Sequence, residues 1–354
     1  MNAELRDLFL ANLLAVVLGI SASAAFLLFL HKDPVAAYTL LATSILRDGY
    51  TFADIFVKAT PLILTALAFA LPYKANLFNI GAQGQFYLGA TAASAVSLAL
   101  GDRLPGLPAL VLVGLAAMAA GGLGGAFIGW TKARFKSNEF LISMMSSYVA
   151  LAGMNYCLRT SLMEAKHEYP QTDTFAARLF LPKLLEGTRL HAGLILALLV
   201  AVLAWMLLYR TDLGYRIRAV GQNPNAARLA GIDSKRIYIS TFFMAGALAG
   251  LAGLTETNGV QHMLVQGFNP TLGAEGIGIA ILANANPIGI IFAAILFGAL
   301  KVGGNVMGGM SGIPTSIVEI MEGFVMIFVI LSYFVRGALA TRRAKRALQR
   351  SMAA

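Results

Sequence analysis

Charge is what this sequence has least of. Of its 354 residues 12% are charged and 58% hydrophobic, against about a quarter charged in ordinary soluble domains. A water-soluble chain of that makeup has too little polar surface to cover its core. Lipid as solvent removes the difficulty, because a bilayer crossing needs only about 20 mostly apolar residues in succession. Cysteine is almost missing too. Cys157 alone excludes an internal disulfide, and its apolar surroundings suit a small buried hydrophobe. The four histidines, His31, His167, His191 and His262, fall in loops or at the edges of apolar runs and offer no proton relay. No His/Cys/carboxylate cluster has metal-ligand spacing, and no nucleophile–base pair marks a membrane-embedded enzyme. A Gly-x4-Gly-Lys-Ser/Thr loop is also absent, so the chain has no ATP-phosphate cradle of its own and no cofactor is expected. The net charge of +10 comes without aromatic–basic interleaving, which argues against nucleic acid as a partner.

What is present is a series of apolar runs. They predict an all-α polytopic membrane protein of about ten transmembrane helices, near 8–30, 52–72, 77–100, 106–130, 138–158, 191–209, 237–257, 271–285, 287–302 and 314–335. The eighth and ninth are short and rich in Gly, Asn and Pro, and a nine-span count would merge them. The first run is longer than a signal-peptide core, and its charged start (Glu4, Arg6, Asp7) is not net positive, so it reads as an uncleaved span. Abundant glycine, 36 residues, fits helices packing closely in lipid. Ten spans place 17 Lys and Arg on the cytoplasmic side and 8 outside, with Lys58 and Lys301 inside spans. Nine would put the basic tail, 336–354, outside, against the positive-inside bias. The expectation is therefore a single membrane domain in the lipid of a prokaryotic cell membrane, both termini cytoplasmic. Segment 159–190 then faces outward and segment 210–236 faces the cytoplasm.

Four places carry chemistry. Asn76-Leu-Phe-Asn-Ile-Gly-Ala-Gln-Gly-Gln85 sets Asn79, Gln83 and Gln85 beside two glycines in an apolar run. Buried amides cost free energy unless they pair or meet water, so these either line a path through a broken helix or join helices to one another. If the stretch is helical, Asn79 and Gln83 share a face and Gln85 turns away. Segment 273–287 repeats the theme with Glu275, Asn284 and Asn286, and its Gly273-Ala-Glu-Gly276 looks like Gly81-Ala-Gln-Gly84. Paired Gly/Pro-interrupted segments point to a transport path. In the last span Glu319 and Glu322 lie three apart; Glu322 is the deeper, and an intramembrane carboxylate is a functional candidate by default. In the cytoplasmic segment, Asn223 suits a helix N-cap, Pro224 the first helical position and Gly231 the stop. A helix that short must dock on the protein or on a partner.

Gly214 to Ile232, read as Gly-x6-Gly-x-Asn-x2-Ala-Ala-Arg-x2-Gly-Ile, resembles the cytoplasmic coupling loop of ABC importer permeases of the branched-chain amino acid and simple-sugar group. Asn76 to Gln85 looks like the signature of the nucleoside-type members, which more often carry Glu where this chain has Gln83. Gly276-Ile-Gly-Ile-Ala-Ile-Leu-Ala-Asn284 fits a third family segment, and the resemblance runs from about residue 50 to 335. It implies a non-enzymatic transport subunit with a fold similar to type II importer permeases. ATP would be bound by a separate cytoplasmic ABC ATPase. A second permease subunit, usually a different chain, and an extracytoplasmic substrate-binding protein would complete the assembly. Asn223, Pro224, Ala227, Arg228 and Gly231 would couple to the ATPase, while Asn79, Gln83, Gln85, Glu275, Asn284, Asn286 and Glu322 would serve the path. The implied solute is a nucleoside, with a simple sugar or riboflavin-like heterocycle as alternatives. An ion-coupled carrier using Glu275 and Glu322 is the competing mechanism.

Overall fold

The computed structural model describes residues 3–29, 31–45, 48–101, 103–311, 317, 319–328 and 331. Twelve α-helices occur among them: α1 Ala3–Phe29, α2 Pro34–Ile45, α3 Gly49–Lys74, α4 Ala82–Leu100, α5 Gly106–Phe135, α6 Glu139–Arg159, α7 Gly193–Arg210, α8 Asp212–Gln222, α9 Pro224–Leu229, α10 Ser234–Glu256, α11 Leu272–Leu282 and α12 Pro287–Ser311. Two isolated bridges are the only β pairing among the described residues. Among the described residues six helices are long and apolar enough to cross a bilayer: α3, α5, α6, α7, α10 with the turn that extends it, and α12. The tenth expected crossing, 314–335, lies partly outside the described residues, and the basic tail, 336–354, wholly so.

By internal contacts the chain divides into two units, 1–47 with 300–354, and 48–299. In the larger, α3 is apolar on every side and is buried over 89% of its apolar window, as a helix without a polar face must be. Helix α10 packs beside it and against α4 and α5. The α5–α10 contact is backbone on backbone. A Cβ on Gly125 would lie 2.0 Å from the Phe242 carbonyl oxygen, and one on Gly246 2.1 Å from that of Gly121.

In the smaller unit, Leu27, Ala37, Met307 and Met321 share a core. Helix α2 falls between the first two apolar runs, where no span is predicted. Its start is the Asp33–Pro34 pair: Asp33 Oδ1 accepts from the N–H groups of Val35 (2.8 Å) and Ala36 (3.3 Å), and proline occupies the first helical position.

The eighth expected crossing is corrected. Helix α11 has 11 residues, about 16 Å of rise against a hydrocarbon layer of about 30 Å. It runs alongside the second half of α3: Gly276 abuts Thr65, and the Asn284 carbonyl accepts from Lys74 Nζ at 3.0 Å. Segment 262–271, which is irregular apart from one isolated bridge, therefore makes the other half of the descent, and α12 returns. Non-helical backbone at that depth is tolerated only where protein buries it or a cavity adjoins it.

Candidate functional site

The amides of 76–85 do not sit as helix periodicity predicts. Helix α4 starts only at Ala82, so Asn79 precedes it and the expected Asn79–Gln83 face does not form. Asn79 instead pairs reciprocally with Gln85, Nδ2 to Oε1 at 2.9 Å and Nε2 to Oδ1 at 3.2 Å, and also donates to the Ala68 carbonyl. Both side chains are buried, and this pair fastens the α4 start to α3.

Gln83 points elsewhere. Its Nε2 donates to the Asn269 carbonyl at 2.9 Å and its Oε1 accepts from Gly273 N–H. The two similar Gly-Ala-(Gln/Glu)-Gly segments thus touch: a Cβ on Gly273 would lie 2.7 Å from Gln83 Cβ, so only glycine lets the two helix starts approach. Thr271 Oγ1 donates to Glu275 Oε1, and Asn269 Nδ2 donates to Glu256 Oε2 at 2.6 Å. The junction joins α4, α10, α11 and the descending segment through polar groups at membrane depth. Glu256, Asn269 and Thr271 are not among the residues expected from the sequence. Glu256 carried a signal, being a carboxylate inside an expected span.

Asn284 and Asn286 are not part of this junction. Asn284 (φ 56°) and Ala285 (φ 51°) form the turn after α11, and Asn286 Oδ1 caps α12 by accepting from Ile288 N–H at 3.0 Å. Glu322 belongs to the smaller unit, where it lies 3.8 Å from Lys301 Nζ; Glu319 is exposed.

At the Lys74 end of the larger unit lie α8 and α9. The expected capped helix is present. Asn223 Oδ1 accepts from Asn225 and Ala226 N–H, Pro224 is the first helical residue, and Gly231 turns the chain at φ 81°. Ala227 is its one buried residue and joins a core with Leu71, Ile217, Val220 and Ile237. The helix therefore docks on its own protein. Arg228 and Leu229 face outward, Leu229 being 92% exposed. Helix α8 approaches so closely that a Cβ on Gly221 would lie 2.2 Å from the Lys74 carbonyl oxygen.

At the opposite end, segment 160–192 folds onto the turn after α10. This turn, Thr257–Gln261, is a π-helix, a form frequent at functional sites. Asn258 Nδ2 donates to Ser97 Oγ (2.9 Å) and to the Leu179 carbonyl (3.1 Å), and His262 stacks on Phe180 at 3.7 Å. His191 is buried between Gly193 and Gly259. Burial, then the neighbouring His262, lowers its pKa from 6.5 to about 4. Burial also lowers that of His262, with Lys183 adding to the effect. Between about pH 6.5 and about 4 the unfolded segment binds a proton that the folded one excludes, so its docking weakens as pH falls through that window. Protection of the amides in 172–184, corrected for the slower intrinsic exchange in acid, is expected to fall on acidification across this range, and His191→Asn to remove most of that loss.

A family model described as branched-chain amino acid transport system/permease component matches residues 51–330. The chain is 34% identical to a guanosine ABC transporter permease of Bacillus subtilis, over 95% of this chain and 97% of that one. It is 34% identical to a glucose ABC transporter permease of Haloferax volcanii, over 91% and 87%. A nucleoside ABC transporter permease of Lactococcus lactis is 31% identical over 98% and 97%.

Proposed function

Because the chain belongs to the branched-chain amino acid transport system/permease component family, we propose that it forms one half of the translocation path of an ABC importer for nucleosides. The observation that carries the path assignment is the meeting of α4 and α11 at Gln83 and Gly273, where two helix starts and a non-helical descent converge inside the bundle. The solute class rests on relatives named for guanosine and nucleosides, with the glucose relative keeping a sugar as the alternative.

ATP is bound and hydrolysed by a separate cytoplasmic ATPase, which engages α9 through Arg228 and Leu229. An extracytoplasmic binding protein docks on 160–192, and both termini face the cytoplasm. A second, non-identical permease packs against α6. Of the six long apolar helices, α6 has the lowest mean hydropathy, 1.3, and the least buried apolar window, 22%. Helix α6 borders a groove of about 710 Å³ whose lining includes Gly84, Gly124, Ser146, Ala150 and Gly153, small residues that let another helix approach. The ion-coupled alternative loses support, since Glu322 stands beside Lys301 and the family's named relatives are ABC permeases.

Labelled guanosine uptake by cells carrying the complete transporter tests the solute class. An excess of unlabelled nucleosides is expected to suppress it and an excess of glucose to leave it unchanged. Suppression by glucose alone would overturn the nucleoside assignment.

A further inference from the structure

The junction at Gln83 has a property that its position alone does not explain. The Gln83 amide is used at both ends, as donor to the Asn269 carbonyl and acceptor from Gly273 N–H. One side chain thus strings together the two ends of residues 269–273, the link between the non-helical descent and α11. Asn269 is held a second time, through Nδ2 on Glu256 of α10, and its backbone is left-handed at φ 43°, with Gly267 at φ 77° close before it. Asparagine adopts that conformation more readily than other side-chain-bearing residues, and here hydrogen bonds from two helices hold it. Beside it, Phe268 is buried against Phe86 (5.1 Å) and Tyr87 (5.9 Å) of α4. The segment is polar, held by side chains of two helices, and set among α4, α10 and α11.

We propose that Gln83 and Asn269 form a clasp that keeps segment 268–273 closed against α4, and that its release opens the path at the α4/α11 junction. Both are positioning residues, and the clasp rests on the reading of this junction as the translocation path. Its neutrality is the point. A carboxylate at 83 still accepts from Gly273 but has no proton to give the Asn269 carbonyl, which would then face a negative oxygen. The titratable groups around position 83 are the Tyr87 hydroxyl on α4, Glu256 on α10, reached through Asn269, and Glu275 on α11, reached through Thr271. Two of the three are carboxylates, so Gln83→Glu adds like charge where the native amide adds none. Protonation restores the missing donor. A glutamate here makes a clasp that holds in acid and opens at neutral pH, whereas the native amide holds at both.

The test reads the segment's accessibility apart from transport. Leu272 is buried at the clasp, so Leu272→Cys in a Cys157→Ala background reports opening by its labelling with a water-soluble thiol reagent. Rates are compared with the Gln83 parent at about pH 8 and about pH 3.5, above and below the ordinary glutamate pKa of about 4.3. Gln83→Glu is expected to raise labelling about tenfold at the higher pH, the scale of one buried hydrogen bond lost, and to return to the parent rate at the lower. Asn269→Ala and the isosteric Gln83→Met are expected to raise it at both. Parent-like labelling in all three variants would overturn the clasp, even if uptake fell, since the residues would then act on the solute. pH-dependent labelling in a protein that fails to take up nucleosides would keep the clasp and count against the proposed solute.

Discussion

Gly246→Val is expected to leave almost no folded protein in the membrane. Helices α5 and α10 run antiparallel with their backbones in contact. Ala117, Gly121, Gly125 and Gly129 on one lie opposite Gly250, Gly246, Phe242 and Tyr238 on the other. The four-residue step on each side keeps one narrow stripe of each helix facing its partner. A Cβ on Gly246 would lie 2.1 Å from the Gly121 carbonyl oxygen and 2.7 Å from its carbon. No rotamer relieves a collision with backbone, so the helices must separate along the stripe. Ordinary overpacking costs about 1–3 kcal/mol. Here α10 also holds α3 and α4, so the displacement spreads through the larger unit and approaches the about 5–15 kcal/mol that stabilises a whole domain. Gly309 is exposed with open space around its Cβ position, so Gly309→Val is expected to accumulate normally. Size-exclusion chromatography in mild detergent separates the outcomes: aggregate for Gly246→Val and a symmetrical peak for the control. A symmetrical peak from Gly246→Val would show that the α5–α10 contact is not the spine of the unit.

Arg228→Glu is expected to lower ATP-driven uptake at least about tenfold while the protein stays folded in the membrane. Only Ala227 anchors α9 to the body, while Arg228 and Leu229 point away. Among the described residues no other large apolar side chain is as exposed as Leu229. An exposed apolar side chain beside a basic one, on a rigidly capped turn of helix, suits a partner's pocket with acidic neighbours. Charge reversal there costs several kcal/mol of association, mostly through dissociation rate. Leu229→Asp acts at the same contact and is expected to match it. Uptake at the parent rate in both variants, at equal membrane levels, would remove α9 from the coupling route.

Much of this was legible in the sequence, for identifiable reasons. Three helices, α2, α9 and α12, start at Asp33–Pro34, Asn223–Pro224 and Asn286–Pro287, each with a short polar side chain accepting from the first turn. The same Asx–Pro start signal precedes α2, but its 12 residues are too few to stand out as an apolar run of crossing length. The amide positions at 79, 83 and 85 were legible and their pairing was not. Face geometry presupposes a helix through Asn79, and the helix starts three residues later. The likeness of Gly81–Gly84 to Gly273–Gly276 hinted at a partnership, but only the fold brings Gly273 against Gln83. Asn269 had no local signal, being one asparagine in a loop, and gains its place from residues that are distant in sequence. The glycine spacing on α5 was readable throughout, but a single chain does not say which helix a glycine stripe faces.

As proposed, this chain transmits ATP hydrolysis from another subunit to a solute path. The most direct measurement is affinity purification of the protein in mild detergent from cells expressing its neighbouring genes at native levels, with co-purifying chains identified by mass spectrometry. The account predicts a stoichiometric ABC ATPase, lost in the Arg228→Glu and Leu229→Asp variants, together with a second, non-identical permease that remains. A chain recovered alone or only with copies of itself, under conditions that preserve its uptake activity, would contradict it.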